Sequence, residues 1–95
     1  MGRRRTLVQA TTDTDVTTAA TTLYSVTLKT DGTNAVSVDI NDGTVSSGTT
    51  VLSLNAPGAG PSVVWEGAGA LPSGLGVDVT GTGVVVSVEY GLEEF

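Results

Sequence analysis

Ten carboxylates, with no imidazole and no thiol, define the chemistry open to this 95-residue chain. Without Cys or His, disulfide staples, thiolate zinc sites, cysteine nucleophiles and His-dependent triads are excluded. Asp13-Thr14-Asp15 offers two oxygen ligands to a calcium ion but lacks the further ligands and closing Glu of an EF-hand loop. Asp31-Gly32-Thr33-Asn34 and Asn41-Asp42-Gly43 could line a calcium site where loops converge, and the same residues are ordinary turn formers. Glu66, Glu89, Glu93 and Glu94, with the aspartates, could supply the carboxylate pair of a glycoside hydrolase. Such sites also use aromatic platforms, and only Trp65, Tyr24 and Tyr90 are suited to that role. Gly58-Ala59-Gly60-Pro61 and Gly81-Thr82-Gly83 lack dinucleotide spacing, and Lys29 follows no phosphate loop. No base, nucleophile or metal set assembles from these residues, so the chain is expected to be non-enzymatic and to need no cofactor. Trp65, beside Val63 and Val64, reads as core or subunit contact, with a sugar platform as the alternative.

Charge is unevenly placed. Arg3, Arg4 and Arg5 are three of the four cations, while all ten acids lie from Asp13 onward. The acidic body argues against nonspecific nucleic-acid or anionic-membrane binding. The basic tip reads as a solvated end, a docking arm or a nucleic-acid tail. No apolar run follows the arginines, so a signal peptide is not expected, and no apolar stretch is long enough to span a membrane. Met1-Gly2-Arg3-Arg4-Arg5-Thr6 fits a short, common myristoylation pattern.

The elements that would position these residues are strands. Tyr24, Val26 and Leu28 alternate with Ser25, Thr27 and Lys29, and Val36, Val38 and Ile40 alternate with Ser37, Asp39 and Asn41. The Asp-Gly link between these two runs reads as a hairpin. Further strands are expected around Leu52–Leu54, over residues 62–66, around Leu75–Val79 and over Val84–Tyr90, with residues 67–74 as a loop. Six strands at this spacing predict an all-β fold, a small antiparallel β-sandwich or jelly-roll-like barrel. The expected core is Tyr24, Val26, Leu28, Val36, Val38, Ile40, Leu52, Leu54, Leu75, Val77, Val79, Val84, Val86 and Val88. It is thin, since each buried Val or Leu contributes about 1.5–3 kcal/mol against roughly 1–2 kcal/mol of backbone entropy per ordered residue. The chain is expected to divide at residue 20. Residues 1–20, Thr- and Asp-rich, form an extended N-terminal arm with a basic tip, able to reach roughly 65 Å and to add a strand near 6–10 or 15–19. Residues 21–95 form the sandwich.

Taken together, Leu23-Tyr24-Ser25-Val26-Thr27-Leu28-Lys29-Thr30-Asp31-Gly32-Thr33-Asn34, the Val-x-Val-x-Ile-x-Asp-Gly run from Val36, Leu52-x-Leu54-x-Ala56-Pro57, Gly74 to Gly83 and the terminal Val-x-Val-x-Tyr resemble a group of sequences. These are small β-sandwich virion structural proteins of tailed bacteriophages. The resemblance is in strand and turn patterns and carries no catalytic residues. It implies a virion component, a capsid decoration (cement) protein bound to the major capsid protein, with a tail, fibre, baseplate or carbohydrate-binding adhesion role as the alternative. It implies a homo-oligomer that clamps neighbours through its arm and strand edges. The candidate partner-binding residues are then Arg3, Arg4, Arg5, Leu7, Val8 and Trp65.

Overall fold

Alternating Val and Leu with Ser, Thr and Asp sends apolar side chains to one face of a strand, and that face leaves water only against a second sheet. The computed structural model describes residues 5–60 and 62–92, and in it this pattern becomes eight strands. They are β1 (Arg5–Ala10), β2 (Thr14–Thr17), β3 (Thr21–Lys29), β4 (Val36–Asp42), β5 (Thr49–Ala56), β6 (Val63–Leu71), β7 (Leu75–Thr80) and β8 (Val85–Leu92). Sheet I has the order β1-β8-β3-β6 and sheet II the order β2-β7-β4-β5, with every pairing antiparallel. The fold is a small antiparallel β-sandwich. Val26, Leu28, Val86 and Val88 of sheet I meet Val38, Ile40, Leu75 and Val77 of sheet II, all essentially shielded from solvent.

Four expectations need correction. First, the strand expected near residues 6–10 forms as β1, but residues 5–17 are not an arm separate from the sandwich. β1 pairs with β8 from Arg5↔Gly91 to Ala10↔Val86, and β2 pairs with β7. Ala10 is 4% exposed, part of the core. Free strand edges on β8 and β7 give these Thr-rich segments backbone partners, so they complete both sheets. Second, the Asp-Gly link does not close a hairpin. β3 lies in sheet I and β4 in sheet II. Alternation stops at Lys29 and resumes at Val36, leaving six residues, enough to cross the roughly 10 Å between packed sheets. Of all the connections, only β4–β5 joins neighbours within one sheet.

Third, Tyr24 is not in the core. Both pairings of β3 skip a residue between Leu23 and Ser25. One extra residue reverses the facing of everything before it. Leu23 therefore turns inward at 2% exposure, and Tyr24 is half-exposed. Fourth, β6 continues through Gly67-Ala68-Gly69-Ala70, a stretch expected as loop. Pairing of Leu23 with Gly69 and Thr21 with Leu71 supplies the backbone hydrogen bonds that the sequence does not advertise. The Trp65 indole lies along this strand; a Cβ at Gly67 would stand 3.1 Å from it, and one at Gly69 would stand 3.8 Å away.

Candidate functional site

The carboxylates are best followed one at a time. Asp13 Oδ1 accepts a hydrogen bond from the Val79 backbone N–H at 2.9 Å, and Asp15 Oδ1 accepts one from the Val45 N–H at 2.8 Å. Asp42 Oδ1 accepts from the Ser73 N–H at 2.8 Å. Asp31 gathers three donors, the Thr33 and Asn34 N–H groups and the Asn34 side-chain amide, at 2.8 to 2.9 Å. These bonds, led by the Asn34 N–H, hold its carboxyl below the usual range. Asp13, Asp15 and Asp42, singled out as calcium ligands, thus fasten loops to strands, whereas Asp31 binds within its own turn, to Thr33 and Asn34. Among the described residues, no three Asp or Glu side chains are grouped so that they could hold a metal ion.

The fastened loops have a consistent architecture. Residues 43–48 fold across the outer face of sheet II above Gly76, whose added Cβ would lie 2.7 Å from the Gly43 carbonyl oxygen. Only a residue without a side chain lets the two backbones approach this closely. Buried Asn41 holds the strap from below: its amide donates to the Thr44 and Val45 carbonyls at 3.2 and 3.3 Å, and its carbonyl accepts from Thr50 Oγ1.

One acidic group is not stabilised in this way. Asp39 and Asp78 are direct cross-strand partners on the outer face of sheet II, with Asp13 beside them. Asp39 accepts from Ser53 Oγ at 2.7 Å. Partial burial, then the charge of Asp13 and a hydrogen bond with it, then the charge of Asp39, push the Asp78 carboxyl above its ordinary value. A shallow concavity of about 410 Å³ lies next to this row, lined by Thr11, Thr12, Asp13, Val79 and Gly81. Another, of about 340 Å³, is lined by Ala35, Val36, Ser37, Asn55, Ala56, Pro57 and Thr80. Trp65 lines neither. Two of the glutamates lie on the other sheet, where Glu66 and Glu89 flank Ser25 on the outer face of sheet I; Glu93 and Glu94 lie outside the described residues.

The candidate partner-binding residues do not form one patch. Arg3 and Arg4 lie outside the described residues. Arg5 opens β1 with its guanidinium 4.0 Å above the Tyr24 ring and a nitrogen 3.5 Å from Glu89 Oε1. Leu7 points outward at 71% exposure, whereas Val8, the next residue along, turns inward opposite buried Val88. Trp65 is on β6, three strand spacings or roughly 14 Å from β1. It is half-buried against the core, opposite Val26. The Arg5–Tyr24–Glu89 cluster was missed because it joins residues distant in sequence through the β3 bulge.

Among the described residues, the other exposed large apolar ones are Val51 of β5 and Val64 of β6, at 53% and 56%. These edge strands lie on the same flank of the sandwich, where they contact each other. Leu52 and Leu54 of β5 and Val63 and Trp65 of β6 are only partly covered there. What the arrangement offers a partner is open strand edges and weakly covered apolar flanks. Comparison with protein-family models, with characterised proteins and with solved structures finds no match for the chain.

Proposed function

We propose that this chain is a non-enzymatic structural protein of a tailed-bacteriophage virion, a decoration protein that binds and stabilises the major capsid protein shell as a homo-oligomer. The observation that carries this reading is the use made of the side chains. Asp13, Asp15, Asp31 and Asp42 hold the molecule's own loops, and what faces outward is strand edge and flank. Strand edges bind through backbone hydrogen bonds and need little side-chain chemistry, which suits a clamp. The resemblance of the stretch from Leu23 to Tyr90 to virion sandwich proteins points the same way. Residues 5–17 complete the sandwich, so the clamping surface is assigned to strand edges and to the basic tip, residues 3–5. Many weak contacts repeated over a symmetric shell would give firm retention.

The test is binding of the purified chain to expanded capsids that lack it. Saturable binding that raises the temperature of capsid disruption is expected. Absence of binding would refute the decoration role, and labelling at the tail or baseplate of whole particles would move the protein there.

A further inference from the structure

We infer that the edge of β5 joins two copies of this chain. Of the four edge strands, β2 is four residues long, carries Asp15 and is interrupted by a bulge. β6 is bulged opposite Tyr24 and carries Glu66, and β1 opens with Arg5. Short length, charge and bulges are the devices that keep an edge from pairing. β5, Thr-Thr-Val-Leu-Ser-Leu-Asn-Ala, has eight residues with no charge and no proline. Its one bulge, at Val51, leaves Leu52 to Ala56 regular.

That regular stretch is complementary to itself. An antiparallel pair about a two-fold axis at Leu54 sets Leu54 opposite Leu54 of the second copy. Leu52 then meets Ala56, and Ser53 meets Asn55. Apolar residues stay on the inner face and neutral polar ones on the outer, because cross-strand partners share a face. Sheet II becomes one eight-stranded sheet, and the half-covered flank of Leu52, Leu54, Val63 and Trp65 is closed from the side.

Charge leaves this edge open to a second copy. The chain carries −6, so two copies repel over most of their surface. This pairing puts none of the ten acids in register, and Asp39, one strand away, is hydrogen-bonded to Ser53. Size sets the strength. The five residues Leu52 to Ala56 span roughly 17 Å, and with a shortest molecular extent of 17 Å the paired flank offers about 290 Å² per copy. The total falls below the roughly 1,200 Å² of stable complexes, which places the dimer in the transient class. The inference is independent of the capsid reading, since it requires only two copies of the chain.

Sedimentation velocity between about 10 μM and 1 mM, a span suited to a transient pair, tests it together with Trp65 emission and amide exchange. The expected result is a monomer–dimer shift with rising concentration, a blue shift of Trp65, and slower exchange over Leu52 to Ala56. Ser53→Lys with Asn55→Lys sets like charges opposite each other twice and should weaken the dimer about tenfold. Ser53→Lys with Asn55→Glu should restore it. A monomer at 1 mM overturns the inference, as does slower exchange at β1 or β6 instead of β5. The exchange measurement needs no variant, so the result stands even if a lysine variant misfolds. Protection of β5 only on addition of capsid would assign this edge to a capsid strand and refute self-pairing while leaving the decoration role intact.

Discussion

Replacing Asp78 by Asn should stabilise the protein at neutral pH, and the advantage should vanish in acid. Asp39 and Asp78 stand directly opposite each other on adjacent strands, with Asp13 adjoining. Two unit charges 5 Å apart repel by about 0.8 kcal/mol in water and by more where solvent is partly excluded. Measured cross-strand pairs fall within about 0.2–1 kcal/mol. Because Asp78 is partly solvated, the gain from Asp78→Asn is set at about 0.5–1 kcal/mol. For a domain of this size that raises Tm by roughly 2–8 °C. The pH dependence follows from the direction of the shift. The folded carboxyl binds its proton more tightly than the unfolded one, whose value is about 3.9. Wild-type stability therefore falls as pH rises from the unfolded value through the raised folded value, and the penalty is constant above it. Asp31 works in the opposite sense: its lowered carboxyl contributes stability above the unfolded value that is lost as pH falls through the folded one. It is present in both proteins and cancels from the difference. Thermal melts of the two proteins from pH 3 to pH 8, at low and high salt, provide the measurement. The gap should be largest at pH 7 in low salt, shrink with added salt, and close near pH 3. A variant no more stable than wild type at pH 7, or an advantage undiminished at pH 3, would refute the electrostatic argument.

Gly76→Ala should lower stability by about 1–3 kcal/mol, because its Cβ meets Gly43 and Thr44 backbone atoms at 2.7 and 3.0 Å and the 43–48 strap must lift; a melt and exchange of strap amides would register both effects. Asp42→Ala leaves the Ser73 N–H without its acceptor and should cost about 1 kcal/mol, reduced by solvent access at that loop. Leu23→Ala should cost about 2–5 kcal/mol in chemical denaturation. Tyr24→Ala should cost less, about 0.5–1 kcal/mol of it from the lost Arg5 contact, and the reverse order would place the β3 bulge wrongly.

Sequence alternation is a local signal, and it reports what is local. Val36-x-Val38-x-Ile40 and Val84-x-Val86-x-Val88 announce strands with one buried face, and their burial follows that period. Tyr24 alternates equally well with Val26 and Leu28, yet its facing is decided by an extra residue that only pairing with Glu89 and Tyr90 reveals. Gly67 to Ala70 has poor strand propensity and becomes strand because β3 supplies partners. The Asp-Gly signal after Lys29 identifies a turn correctly but says nothing about which sheet receives β4. At the candidate site the same division holds. That Asp31 belongs to a turn is evident from its neighbours, whereas Asp42 ends β4 and the Ser73 N–H that it holds is distant in sequence. Leu7 and Val8, adjacent in sequence, necessarily face opposite ways once β1 is a strand, so they cannot serve one surface.

The topology also bears on why β5 is the edge left open. Every connection except β4–β5 passes from one sheet to the other. A crossing connection places consecutive strands on opposite layers, so neither satisfies the other's backbone, and partners must come from far along the chain. Such long-range pairing carries a high loop-closure cost and slows folding. The β4–β5 hairpin is the only unit that forms from neighbouring sequence, and its Val38↔Leu54 and Ile40↔Leu52 pairs give it an apolar face. In the complete fold the outer edge of β5 takes no strand partner. Uncharged, without proline and long, this edge lacks the usual protection against a like strand. An edge with no covering strand is a hazard unless a partner takes it up. That physical reason favours reading β5 as a contact surface rather than as inert periphery.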